Sequence, residues 1–315
     1  MPDAHEADET VARGEFTASS YMSVTNMFAA SGLDRLSTML AAGGRADNAS
    51  AFAAQSAALT AAIRAQMWNG TAFCDGICLD PKIKGASLVM SNIYSLCFGL
   101  VPEANIPSVW STVSAWGLSA IGDYGAFWMQ MALSSSYYAP RYDTPDDGTA
   151  ILTALTKCDR YSWCSGLRDD NLTMTRESWH DGTMSHAWGS SAIVGVAWGI
   201  MGIHQTAPSF AAFTVKSKLG SLTHANMTQP TIRGFITVYA APSTLSVTVP
   251  CNTAATLCAP RSALDAGVFT PATHALLLDG REVPAVASGG HLCLREPVGC
   301  GAAGAPRQLR VQMRA

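Results

Sequence analysis

Apolar residues recur at helical spacing through roughly the first two hundred positions. Leu33, Leu36 and Leu40 share one face, and Phe52, Leu59, Ile63 and Met67 form one stripe on an alanine-rich segment. Residues 45–47 read as a loop, with Asp47 or Asn48 capping the second helix and Asn69-Gly70 ending it. Further helices are predicted over 87–100, 106–116, 124–138, 149–158 and 188–203. The intervening stretches hold Gly, Pro and Asp, as in Val101-Pro102, Gly122-Asp123 and 140–148. Helices paired through such loops predict an array of helical hairpins. No fixed-period repeat accompanies them, which argues against a solenoid.

After Pro208 the period changes from helical to two. Ile232, Gly234, Ile236 and Val238 alternate, and so do Leu245, Val247 and Val249. Asp279-Gly280 between two apolar runs is a hairpin signal, and 308–313 reads as a closing strand. The expected fold class is mainly α with a β-tail: a polar N-terminal tail over 1–17, a helical part over 18–204, and a β-sandwich over 205–315.

Composition narrows the function. The chain has 315 residues, 48% of them hydrophobic and only 14% charged, which suits two modules with sizeable cores. Its net charge is −3 and it has no basic stripe, so a nucleic-acid surface is not expected. The most apolar run, 188–203, is shorter than the ~20 residues a spanning helix needs, so no membrane partner is expected either. Eight of the nine cysteines fall close together in twos: Cys74 with Cys78, Cys158 with Cys164, Cys251 with Cys258, Cys293 with Cys300. Cys97 is left over. Disulfides at such positions, with sequons at Asn48, Asn69, Asn171 and Asn226, point to an oxidising, secretory setting. Connectivity is not legible, and buried free thiols are the alternative. The first fifteen residues are polar and acidic, unlike a signal peptide. The cysteines lack the spacing and nearby histidines of a zinc site.

The chemistry concentrates between Ser162 and Phe213. There Ser162-Trp163 is followed by Thr173-Met174-Thr175-Arg176-Glu177-Ser178-Trp179, then Ser185-His186-Ala187-Trp188-Gly189-Ser190. A carboxylate, a histidine, indoles and small residues are the parts of a sugar site. Aromatic faces take the C–H side of the ring, and polar groups take its hydroxyls. From spacing alone, Glu177 also reads as a carboxylate at a helix start, His186 as a core histidine, and Trp163, Trp179 and Trp188 as core aromatics. Trp198, in a continuous apolar run, is assigned to the core. Asp123 reads as an N-cap, with hydroxyl binding as the functional alternative.

This segment resembles the α-L-rhamnosidases of glycoside hydrolase family 78. They carry Thr-x-x-Glu-x-Trp, then Asn-His-aromatic-x-Gly, a hydrophobic helix and a C-terminal β-domain. The resemblance implies the later portion of an (α/α)6 six-hairpin barrel followed by the β-sandwich, and a chain lacking an N-terminal part. It further implies inverting hydrolysis of terminal α-L-rhamnosides, with Glu177 as catalytic base, His186 as a substrate contact, and Trp163, Trp179 and Trp188 as walls of the substrate pocket. The partner implied is a rhamnose-containing glycoside or polysaccharide. Two carboxyl groups suffice for that chemistry, so no metal or cofactor is implied. Arg176 replaces a tryptophan, Ser185 replaces the asparagine, and the Arg/Asp/Glu-rich motif of the general acid is absent from the sequence. Those departures keep a second reading open, a degenerate six-hairpin module that binds carbohydrate without cleaving it.

Overall fold

The computed structural model describes residues 22–79, 89–134, 148–180, 182–262, 269–288 and 290–314. The predicted tail over 1–17 lies outside them. The helical part begins with a hairpin of α1 (Ser23–Ala42) and α2 (Ala46–Met67). Small polar side chains staple it at two levels, Ser37 Oγ donating to Ala49 O and Ser56 Oγ to Ala30 O, each at 2.8 Å. Neither Asp47 nor Asn48 caps α2. The Arg45 amide bonds back to Leu40 O, so the helix starts at Ala46 and Asp47 lies inside its first turn, where its charge complements the helix dipole. The stripe expected on α1 is displaced as well: Met27 and Ala30 are buried, whereas Leu36 is exposed.

The next helices are α3 (Val89–Cys97), α4 (Ile106–Trp116), α5 (Asp123–Leu133), α6 (Thr149–Thr156) and α7 (Trp163–Asp169). Edge-on aromatic contacts of Phe28 with Tyr94 and Trp128, at 4.9 and 5.4 Å between ring centres, join α1, α3 and α5. Cys97 is buried against Trp128 O, and burial pushes its thiol well above the usual range, so it is inert.

The expected helix over 188–203 is not regular. A 3-10 turn (Ala187–Ser191) leads through one α-turn (Ala192–Val194) into a π-helical stretch (Gly195–Ile200). Close packing explains it. A Cβ at Gly195 would come within 2.0 Å of Gln130 Oε1 on α5, and one at Gly199 within 3.0 Å of Ile151 on α6. The backbone lies directly on its neighbours, and the widened turn accommodates that approach.

The β-part follows at once. A six-stranded antiparallel sheet has the order β3-β4-β5-β11-β7-β8: Ala225–Thr231, Gly234–Ala241, Thr244–Thr248, Arg307–Met313, His274–Leu278 and Arg281–Val283. Its buried face carries Ile236, Val238, Leu245, Val247, Leu276 and Leu309. The second layer combines β1 (Ile203–Gln205), β2 (Ala212–Val215) and β6 (Ala254–Leu257) with the β9–β10 hairpin (Ala285–Ser288 and His291–Leu294). The chain is therefore mainly α with a β-sandwich tail. The Asp279-Gly280 hairpin forms as expected, with φ of 50° and 82° at its two loop residues. Ile232 departs from the predicted alternation. It is 85% exposed because it occupies the β3–β4 turn rather than a strand.

Four disulfides lie among the described residues: Cys74–Cys78, Cys158–Cys164, Cys251–Cys300 and Cys258–Cys293. The first two join sequence neighbours. The last two exchange the partners that proximity suggests, because β6 runs between Cys251 and Cys258. That four-residue strand alone spans about 13 Å, beyond disulfide reach. Strand pairing instead sets Cys258 opposite Cys293. Non-reducing peptide mapping should recover the 251–300 and 258–293 links. A double Cys258→Ala/Cys293→Ala variant should lose about 4 kcal/mol of stability by the loop-closure argument, read by chemical denaturation.

Candidate functional site

Glu177 does not begin a helix. Two short segments, 175–177 and 183–186, run antiparallel and join at an Arg176–Met184 bridge. The amide of Glu177 donates to Thr183 O at 3.0 Å and that of His186 to Thr175 O at 3.3 Å. The turn between them brings Glu177 and His186 to one side, although they are nine positions apart. Gly182, with φ of 86°, makes the turn possible. A Cβ there would lie 2.6 Å from Glu177 Cβ and 3.0 Å from Oε2.

The Glu177 side chain is 39% exposed. Its Oε2 accepts from the Thr183 amide at 3.0 Å and from Thr183 Oγ1 at 2.9 Å. Thr183 Oγ1 also lies 2.8 Å from His186 Nδ1, and His186 Nδ1 lies 3.8 Å from Glu177 Oε2. A hydroxyl has one proton to give. An ionised carboxylate can only accept, so Thr183 donates to Glu177 and accepts from His186, which places a proton on Nδ1. Trp188 closes this cluster: its Nε1 donates to Glu177 O at 2.6 Å, its ring lies 3.7 Å from that of His186, and exposed Tyr124 meets it edge-on at 5.4 Å.

Trp163 and Trp179 lie elsewhere. They meet edge-on at 5.3 Å, with Trp163 Nε1 donating to Gly189 O at 2.8 Å and buried Trp179 donating to Ile121 O at 2.9 Å. Both line a cavity of about 280 Å³ whose walls also include Asp123, Leu172 and Arg176, while Glu177, His186 and Trp188 do not line it. Arg176 is directed away from the Glu177 carboxylate, its Nη1 donating to Asp170 Oδ2 at 3.0 Å and His180 O at 3.1 Å. The five residues singled out from sequence thus fall into two groups. Gly189 stands between them: a Cβ there would lie 2.4 Å from Arg176 O, 2.9 Å from Thr175 Cβ and 3.0 Å from Asp123 Oδ2.

Asp123 is not the N-cap of α5. Gly122 holds that position, and Asp123, as the first helical residue, is only 4% exposed. Its Oδ1 has no hydrogen-bond partner, and burial pushes its carboxyl up to about 7. Trp198 is half-buried and packs against the core, as expected. Thr183, Gly182 and Tyr124 were not singled out from sequence. The Asp181-Gly182 dipeptide is a turn signal that points toward the first two. No group of three or more His, Cys, Asp or Glu suited to a metal ion occurs among the described residues.

Residues 202–270 match the family described as the bacterial α-L-rhamnosidase C-terminal domain. No curated protein matches the chain. Among solved structures, an α-L-rhamnosidase from Dictyoglumus thermophilum superposes with a TM-score of 0.66 at 14% identity, covering 91% of this chain and 31% of that one. The Streptomyces avermitilis α-L-rhamnosidase, complexed with L-rhamnose, gives 0.65 at 16% identity, covering 91% and 26%. The chain thus spans less than a third of those proteins.

The folded carboxyl of Asp123 lies above its ordinary value, so the stabilising contribution of its neutral form is present below pH ~4 and is lost as pH rises toward 7. Asp123→Asn should therefore gain on the parent chain by about 1.4 kcal/mol per pH unit across that window, to a total near 4 kcal/mol. Denaturant titrations at pH 4, 5.5 and 7.5 measure this, and parallel stabilities across the three would refute it. Taken together, the superpositions show that this chain shares the fold of the α-L-rhamnosidases, helices followed by a β-domain, and residues 202–270 are similar to the C-terminal domain of the bacterial enzymes.

Proposed function

We propose that this chain is part of a glycoside hydrolase that cleaves terminal α-L-rhamnosides with inversion, and that Glu177 is its general base. The observation that carries the reading is the Glu177–Thr183–His186 cluster beside Trp188. A half-exposed carboxylate is fixed by two donors from one threonine, with an imidazole and an indole face alongside it. Such a carboxylate can take a proton from a water positioned on one face of the sugar. His186 orients Thr183 through Nδ1 and contacts a sugar hydroxyl. Trp188, with Tyr124 at its edge, offers an apolar surface to the C–H face of the ring. Arg176 is engaged by Asp170, to which its Nη1 donates.

The proton for the leaving oxygen comes from a carboxylic acid whose motif this sequence lacks. The choice of substrate is supported by the shared fold and by the L-rhamnose complexed with the similar Streptomyces avermitilis enzyme. Hydrolysis of this kind needs no cofactor. We place the protein outside the cell, in keeping with its four disulfides. Asn48, Asn69, Asn171 and Asn226 are all exposed and accessible for glycosylation in that setting. We also place the division between barrel and β-domain at 204/205.

An aryl α-L-rhamnoside with a highly activated leaving group tests the assignment, because that group departs without protonation and the assay needs only the base. The chain should turn it over, and Glu177→Gln should lower kcat by about 10²–10⁴-fold. Turnover unchanged in the variant would remove Glu177 from the mechanism.

A further inference from the structure

The outward face of the β3–β4 hairpin carries a modification signal opposite an aromatic ring. Asn226, Met227 and Thr228 form one of the four sequons, and of the four asparagines only Asn226 lies in a strand. Asn226, Thr228 and Pro230 are exposed along β3, as are Phe235, Thr237 and Tyr239 along β4. The antiparallel register sets Asn226 across from Tyr239, Thr228 across from Thr237, and Pro230 across from Phe235. Side chains directly opposite one another have Cβ atoms about 5 Å apart, so a sugar on Asn226 is within reach of the Tyr239 ring. Tyr239 stacks on His224 at 6.0 Å between ring centres, and 42% of it remains exposed. The ring is thus braced and still open to a ligand.

We infer that Asn226 carries an N-linked glycan whose first sugar packs on Tyr239 and covers this end of the sheet. The inference rests on the placement of the protein outside the cell and not on the hydrolytic assignment. In the folded hairpin Thr228 Oγ1 lies 3.0 Å from Thr237 Oγ1, so transfer precedes the pairing of β3 with β4, while the sequon hydroxyl is still free. Asn226 Nδ2 bonds to the anomeric carbon of a lipid-diphosphate-linked oligosaccharide, and the amide loses one proton to solvent. The sugar–phosphate bond breaks, and the lipid diphosphate leaves with its electron pair. The C–H face of the first sugar then lies on the phenol ring, and its polar groups face water. The position has a second consequence. β3 ends the six-stranded sheet, paired with β4 on one side. An edge strand invites pairing with another chain, and a bulky hydrophilic group there blocks it.

The whole chain, secreted from a eukaryotic host, tests the inference. Peptide mapping after enzymatic release of glycans should find Asn226 occupied. With the glycan trimmed to its first sugar, denaturant titration should give an unfolding constant about fivefold below that of Asn226→Gln, the upper range for a cross-strand aromatic contact. In a Tyr239→Thr background that ratio should fall to one. In Tyr239→Phe, which keeps the ring, it should persist. In the parent glycoform the ring protons of the first sugar should show upfield ring-current shifts, a reading that needs no variant to fold. An Asn226 left bare while Asn48, Asn69 and Asn171 are occupied would overturn the inference and leave the secretory placement standing. Four bare sequons would overturn it and also remove the support they lend to that placement. Equal unfolding constants for the glycoform and Asn226→Gln, or a fivefold ratio that survives Tyr239→Thr, would set the sugar away from Tyr239 and overturn the inference as well.

Discussion

The arrangement of the site depends on one close approach, that of the Gly189 backbone to the carbonyl of Arg176. A single added carbon at Gly189 would enter contact distance of Arg176 O, Thr175 and Asp123 together. That approach is locked from the other side by Trp163, whose indole donates to Gly189 O. Because the backbones touch here, segment 175–177 becomes a partition. Glu177 is held on the side of Thr183, His186 and Trp188. Asp123, Arg176 and the Trp163–Trp179 pair border the cavity on the other. Short-range repulsion sets this geometry, and hydrogen bonds refine it.

The same device joins the helical part to the β-sandwich. Gly148 ahead of α6 and Gly202 after the π-helical stretch both have positive φ, and a Cβ at either would fall within about 2 Å of a carbonyl in 216–218. The amides of Lys216 and Lys218 donate to Gly202 O and Ile200 O, and Ser217 Oγ donates to Met201 O. The helix that carries Gly189 at its start is therefore pinned at its end by the first strands. The π-helical turns lie between that anchor and the 3-10 turn that carries Gly189, with Gly195 packed on Gln130. Site geometry and domain packing are mechanically linked through one irregular helix.

Much of the architecture was legible in the sequence because it is local. The stripe of Phe52, Leu59, Ile63 and Met67 and the alternation of Ile236 and Val238 each need only a periodic match between side chain and buried face. Asp279-Gly280 needs only two residues that tolerate positive φ. The failures also have a common cause. Asp47, Asn48 and Asp123 were read as caps from residue type, but where a helix starts was decided by the preceding turn and by burial against other elements. The cysteine partners were not legible because an intervening strand separates neighbours that a loop would have brought together.

The sequence by itself determined the succession of helices and strands, the change of period near Pro208, and the grouping of Glu177, His186 and the tryptophans in one stretch, since those features are written in spacing and residue type. Only the tertiary structure divided that stretch into two faces, removed Arg176 from Glu177, recruited Thr183 to hold the carboxylate, and buried Asp123 beside a cavity. These depend on which backbone can approach which, and on where the remaining polar atoms then point. No periodicity encodes such distances; they arise when non-adjacent segments exclude one another's volume.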